Sequence, residues 1–232
     1  MASFNRPRLL SRTLASIRDQ RPGFPYEVIV VDDGSEGTAT AEVCQHFAVQ
    51  YFRTEHGEYR NPGPARNIGY KAARGEIIAA QSDDTYHETP DALERLSDCP
   101  VRTMQIATVW ELTPEGERKG QYTGSQNLRP FFFLGSVPRE DLYAVGGDDE
   151  DFTQPGFDDN WLAARLINGR RLMPVFRADI EGCHQWHERP TQEEALPWFH
   201  AMLALYERKM DVARTTGAWV AGGGSWPYSE SA

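Results

Sequence analysis

Apolar positions along the chain alternate between two rhythms. Short runs dense in β-branched or small residues, Tyr26-Glu27-Val28-Ile29-Val30-Val31, residues 49–53 and Ile77-Ile78-Ala79-Ala80, have the length and composition of buried strands. Residues 8–20, with Leu9, Leu10, Leu14 and Ile17 at helical spacing, precede the first run. Residues 38–47 and 65–73 supply helices between the later ones, and Gly75 is expected to end the second of these in a left-handed cap. The order helix, strand, helix, strand, helix, strand implies right-handed crossovers. The predicted class is therefore α/β, a single domain with a mostly parallel central sheet flanked by helices.

Beyond residue 86 the pattern predicts a helix over 90–96, a strand over 101–110 and a hairpin turn at Thr113-Pro114-Glu115-Gly116. A buried strand is expected within 129–137, with Phe131, Phe132 and Phe133 in the core, then a helix over 139–145 ending at Gly146-Gly147. A further helix places Trp161, Leu162, Leu166 and Ile167 on one face, and a strand follows at 172–176. In residues 191–214, Leu196, Phe199, Leu203 and Tyr206 mark an amphipathic face suited to docking. The units read as residues 1–190 for the main domain, 191–221 for a docked C-terminal helix and 222–232 for a flexible tail opened by Gly222-Gly223-Gly224-Ser225.

Candidate chemistry sits where strands stop. The first long run ends at Asp32-Asp33-Gly34-Ser35 and the third at Gln81-Ser82-Asp83-Asp84. In open α/β sheets, ligands meet the carboxyl ends of strands. Adjacent carboxylates repel unless a cation lies between them, and hard divalent metals that also hold phosphates are bound through one or two carboxylates. The plain alternative is a solvated acidic turn capping the next helix. Asp158 and Asp159 open the helix of Trp161, where the plain alternative is again N-terminal capping. His184, Trp186 and His187 follow the last strand; histidine is a common metal ligand, the plain alternative being a satisfied surface or core histidine, and Trp186 reads as packing or a binding platform rather than chemistry. Tyr59, Arg60 and Asn61 sit in a loop suited to covering a ligand.

Composition narrows the classes further. A net charge of -10 and a pI near 5.1 argue against broad affinity for nucleic acid or anionic membrane. No run approaches the roughly 20 apolar residues of a membrane span, and no charged-then-apolar leader is seen, so stable membrane insertion is not expected. Cys44, Cys99 and Cys183 lack metal-binding or redox spacing, which suggests reduced thiols and a cytoplasmic setting.

Four ordered blocks over roughly residues 3–187 give the chain a resemblance to the nucleotide-sugar glycosyltransferases of family two, which are inverting enzymes of the Rossmann-like GT-A fold. Ser3-Phe4-Asn5-Arg6-Pro7 resembles the family's opening turn, and Glu27-Val28-Ile29-Val30-Val31-Asp32-Asp33-Gly34-Ser35 its first Asp-Asp block. Gly63-Pro64-Ala65-Arg66-Asn67-Ile68-Gly69 resembles its Ala-Arg-Asn helix, and Asp158-Asp159 with Leu162 and Arg165 its later acidic helix. Three departures stand out. Gln81 replaces a common first acid, Asp148 follows Gly146-Gly147 where Phe is common, and the strand before the opening turn is expected to be missing.

The resemblance implies a sugar transferred from a nucleoside-diphosphate donor, with UDP-sugar favoured, to an acceptor hydroxyl on a saccharide, lipid-linked sugar, protein or modified base. Ser3, Asn5, Arg6, Asp32, Asp33, Arg66 and Asp83 would bind the donor. Asp83, Asp84 and His184 would hold Mn²⁺ or Mg²⁺, and Asp159, with Asp158 beside it, would be the base. A nucleotidyltransferase is one alternative, although the basic glycine-rich phosphate loop of that class is not seen. A catalytically degenerate nucleotide-sugar-binding module is another, suggested by Gln81 and the missing first strand.

Overall fold

The computed structural model describes residues 1–55 and 61–228. Tyr59 and Arg60, expected to help cover a ligand, lie outside the described residues.

The N-terminal layer is a parallel three-stranded sheet in the order β1 (Ala2–Ser3), β2 (Ile29–Asp32) and β3 (Gln50–Arg53). Helices α1 (Pro7–Arg18) and α2 (Ala39–His46) join these strands and bury Leu10, Leu14, Ile17 and Cys44 against Val30. α3 (Gly63–Ala72) covers Ile29 and Val31 through Ala65. A Cβ on Gly69 would already be 3.4 Å from Val31, so this helix lies close to the strand. It ends at Ala73 in an extended conformation (φ -69°, ψ 137°), not in a left-handed cap at Gly75.

The expectation of a missing first strand is corrected. Ala2 and Ser3 pair in parallel with Val31 and Asp32, and the Met1 ammonium donates to Ile29 O at 2.8 Å. Two residues are too few to display a period, so this strand carries no signal in the sequence. Beyond Met1 a cavity of about 630 Å³ lies between β2 and the strand β4 (Ile77–Gln81).

The second sheet is mixed. After β4 come β5 (Thr85–His87), α4 (Ala92–Ser97), β6 (Thr103–Leu112), β7 (Arg118–Thr123), β8 (Leu134–Pro138), α5 (Arg139–Ala144), α6 (Asp158–Arg170), β9 (Met173–His184) and α7 (Gln192–Thr216). The strand order is β4-β8-β6-β9-β5, with β7 added on β6; β6 and β9 run parallel, and the other pairs are antiparallel. The mostly parallel expectation thus describes the first layer and fails in the second. For the β6–β7 pair the reason is local: β6 turns into β7 through Thr113–Glu117, and a connection that short joins only antiparallel strands. A core of Ile78, Met104, Ile106, Val137, Leu142, Leu162 and Leu166 fills the space under this sheet.

α7 starts with a capping box, in which Thr191 accepts from Glu194 N–H and Glu194 accepts from Thr191 N–H, and ends at Gly217 in the left-handed region. Its buried side chains are Met202 and Ala213, with Tyr206 and Met210 packed beside them against Phe152 and Trp161. Leu196 and Phe199, expected on the docking face, remain exposed. Residues 222–228 are not a loose tail. The backbone N–H of Ala221 and of Trp226 donate to Val145 O and Tyr143 O, each at 2.8 Å, and the Trp226 ring meets Tyr143 edge-on.

Candidate functional site

The carboxyl end of β2 decides which of two neighbouring acids faces solvent, because successive side chains on a strand point to opposite sides. Asp32 is fully buried. It accepts from Ser35 N–H and from the Tyr51 hydroxyl, both at 2.8 Å, and holds the turn together. Asp33 turns outward into a cavity of about 480 Å³ whose walls also include Ser3, Arg6, Arg66, Gln81 and Asp83. Five of the seven residues expected to bind the donor therefore meet in one cavity. Asn5 does not join them: it sits at φ 53°, donates its N–H to Ser35 Oγ and accepts from Glu36 N–H, so it fastens the opening turn.

Asp83 and Asp84 diverge in the same manner. Asp83 faces the cavity, with one oxygen buried and without a hydrogen-bond partner among the described residues; burial and the neighbouring Asp84 push its carboxyl up to about 7, against the pull of Arg6. Asp84 lies between two histidines, with His184 Nε2 3.4 Å from one oxygen and His187 Nε2 3.3 Å from the other. Burial pushes the Asp84 carboxyl upward, yet contacts with His184 and His187 hold it well below the usual range. Arg6 Nη1 donates to the same carboxylate at 2.7 Å.

The histidines are placed by their backbone. Gln185 N–H donates to Asp84 O at 2.8 Å, and the Gln185 side chain reaches Leu9 O on α1 at 3.0 Å. Phe133 meets His184 edge-on, and Tyr122 lies beside it. One ligand atom each from Asp84, His184 and His187 falls within 4.8 Å of the others, which fits a single ion. A carboxylate with two imidazoles suits Mn²⁺ better than Mg²⁺, which demands oxygen ligands in near-ideal octahedral geometry. Of the expected ligands Asp83, Asp84 and His184, the geometry groups Asp84 and His184 with His187, while Asp83 lines the cavity of Asp33. Gln81 is not a vacant ligand position, since its amide is tied to Thr85 O and His87 across the turn.

A second cavity, about 580 Å³, holds Asp158 and Asp159 together with Tyr122, Phe131, Phe133 and Phe199. Of the three phenylalanines expected in the core, only Phe132 is buried there. Arg66 and Pro62 line both cavities, so the guanidinium stands at their junction. Arg66 Nη1 lies 3.6 Å from Asp159 and 3.8 Å from Asp148. Burial and then the Asp158 charge push the Asp159 carboxyl up to about 8, against Arg66. Phe157, immediately before this pair, is left-handed at φ 63° and is held there by stacking on Tyr206 and contact with Phe199 of α7. Arg165 is structural: fully buried, it donates to Val145 O at 2.6 Å. Asn67 and Asp148 are site neighbours that no expected set contained, and His187, the second of the two candidate histidines, joins the preferred His184 through the His-x-x-His spacing at the end of β9.

The chain combines a parallel three-stranded layer and a mixed sheet with two cavities that share Arg66 and Pro62, and its comparisons with known proteins are those of a glycosyltransferase of the GT-A class. Residues 1–126 match glycosyl transferase family 2, and the chain belongs to that family. It is 35% identical over 243 residues to a hyaluronan synthase of Pasteurella multocida, covering 84% of this chain and 24% of that protein. A chondroitin synthase of Escherichia coli is 27% identical over 242 residues, covering 83% and 34%. The chain thus spans about a quarter to a third of these relatives. Among solved structures, a mannosyltransferase of Pyrobaculum calidifontis in complex with GDP-Man and Mn²⁺ superposes with a TM-score of 0.60 at 19% identity, covering 84% of this chain and 57% of that one. TarS 1–349 of S. aureus in complex with UDP-GlcNAc gives 0.58 at 18%, covering 81% and 58%. Both share the fold. Among the described residues no helix is long and apolar enough to cross a membrane.

Proposed function

We propose that the protein moves a sugar from a nucleoside-diphosphate donor, UDP-sugar first, to an acceptor hydroxyl by a single displacement with inversion. The observation that carries this reading is the junction at Arg66, where the cavity of Asp33 and Asp83 opens beside the cavity of Asp159. Asp33 would accept from the nucleoside, because a carboxylate accepts from imino N–H and ribose hydroxyls. Arg6 and Arg66 would face the diphosphate, whose oxygens match a guanidinium fork. Asp84, His184 and His187 would hold Mn²⁺, which supplies charge neutralisation to the departing diphosphate. Asp159 would take the acceptor's proton while the acceptor oxygen bonds to the sugar's anomeric carbon and the bond from that carbon to the diphosphate breaks.

The aromatic walls of the second cavity, Tyr122, Phe131 and Phe199, suit the apolar faces of a sugar ring. Two relatives are named for the synthesis of hyaluronan and chondroitin, which also favours a saccharide acceptor. The test is incubation of the purified chain with a panel of UDP- and GDP-sugars, Mn²⁺ and short saccharides, reading nucleoside diphosphate release and the anomeric configuration by proton NMR. Inverted product that disappears in Asp159→Asn supports the reading. Retained configuration, or donor turnover unchanged in that variant, rejects it.

A further inference from the structure

Asp148 is only 3% exposed, and neither of its carboxylate oxygens has a hydrogen-bond partner among the described residues. A buried carboxylate without hydrogen bonds is costly and calls for an explanation in function or strain.

Its surroundings are built to keep it there. The Asn67 amide donates to Asp148 O at 2.9 Å and accepts from Asp148 N–H at 2.8 Å, fixing the backbone from both sides. Gly147 before it is left-handed at φ 64°, and Arg165 anchors the same turn through Val145 O. A Cβ on Gly63 would come 3.3 Å from Asp148 Cβ, so the first turn of α3 packs directly on it. Held in this way, the carboxylate points at Arg66 Nη1, the same atom that lies beside Asp159, at 3.8 Å and 3.6 Å respectively. One guanidinium is therefore contested by two carboxylates and closes a tight hydrogen bond with neither.

We propose that Asp148 is a positioning residue for the base: by drawing Arg66 to a shared position it keeps Asp159 from full ion pairing and leaves it basic enough to accept a proton. The meaning of this for turnover rests on the transferase reading above, whereas the electrostatic coupling does not. The charged and titratable groups that face Asp159 are Arg66 and Tyr70 from α3, Asp158 from α6, Asp148 from the turn after α5 and Arg129 on the cavity wall, while Arg165 and Asp149 act on Asp148. Consistent with the geometry, burial followed by the Asp158 charge lifts the Asp159 carboxyl, and burial likewise lifts Asp148 to about 6. With Asp148 neutral, Arg66 is free to shorten its 3.6 Å approach to Asp159 into a direct hydrogen bond, and the repulsion that the Asp148 charge exerts on Asp159 is lost as well, so both changes lower the Asp159 carboxyl's proton affinity.

The test is a ¹³C-carboxyl titration of the full chain labelled at aspartate, with the Asp159 resonance identified by its loss in Asp159→Asn. In wild type that resonance should titrate with a midpoint near 8. In Asp148→Asn its midpoint should fall by about one pH unit or more, while the Asp83 resonance, assigned in the same way, stays in place. An unmoved or raised Asp159 midpoint overturns the proposal. Should Asp148→Asn not fold, Asp148→Ser is read identically, and failure of both to fold shows a purely structural residue and overturns it as well. The titration uses neither donor nor turnover, so a failed transferase reading would show separately, as absent transfer beside a normal titration.

Discussion

Replacing Asp159 with Asn should make the folded protein more stable at high pH and leave it unchanged at low pH. The carboxyl's ordinary value of 3.8 is lifted to about 8 in the fold, chiefly by burial and then by Asp158. A raised folded value means that stability is fully present below 3.8, where both states are protonated, and is lost as pH climbs through 8, where the folded state must ionise in place. At ~1.4 kcal/mol for each tenfold change in proton affinity, the ceiling on the loss is about 6 kcal/mol. The side chain keeps 18% of its surface in water and shares its proton with close neighbours, so the realised penalty should be nearer ~2 kcal/mol. For a chain of this size that corresponds to a Tm rise of roughly 4–8 °C in Asp159→Asn at pH 9. Thermal unfolding followed by circular dichroism between pH 4 and pH 9 reads the gap directly. A gap that stays constant across that range, or a variant less stable than wild type at pH 9, refutes the reasoning.

Other outcomes follow from the same contacts. Because loss of even an outer-shell partner costs 10–100-fold in metal affinity, His187→Ala should weaken Mn²⁺ binding by about 100-fold or more, measured as free Mn²⁺ by electron paramagnetic resonance; unchanged binding would remove His187 from the site. Asp33→Ala should weaken UDP binding by roughly tenfold in calorimetry while the Tm holds, whereas Asp32→Ala should cost about 1.5–3 kcal/mol of stability, since it strands Tyr51 and the Ser35 N–H. Equal effects of the two substitutions on binding would erase the distinction drawn between them. Gly147→Ala should destabilise by about 3 kcal/mol in urea unfolding, because the left-handed backbone disfavours a side chain and a Cβ there would overlap Trp226 and Asn67. If Asp159 is the base, kcat/KM should fall about tenfold per pH unit below 8; a flat profile between pH 6 and 8 would assign the proton to another group.

The elements that deliver chemistry were legible because each ends a strongly patterned segment: Val28 to Val31 runs into Asp33, the helix of Arg66 opens after Pro62, and Asp159 starts the helix of Trp161 and Leu162. What escaped has local causes. β1 and β5 are two and three residues long and display no period. β9 extends to His184 through Arg177, Asp179 and Glu181, which ion-pair at the surface and mask the strand, so the register that sets His184 beside Asp84 was hidden. Asp32 and Asp33 are chemically alike, and only the pairing of Ser3 with Asp32 determines which one turns inward. On α7 the expected face is met in part: Tyr206 and Phe199 touch Phe157, while contacts with Phe152 and Trp161 bury Met202 and Ala213 and leave Leu196 and Phe199 about half exposed.

In the proposed reading one divalent ion, held by Asp84, His184 and His187, would sit beside the cavity of Asp33. Anomalous diffraction at the manganese edge, from crystals grown with Mn²⁺ and UDP, tests it most directly. The expected result is a single strong peak within coordination distance of all three side chains, with the diphosphate beside it and the nucleoside against Asp33. A peak elsewhere, or ordered UDP with no manganese at that triad, would contradict it.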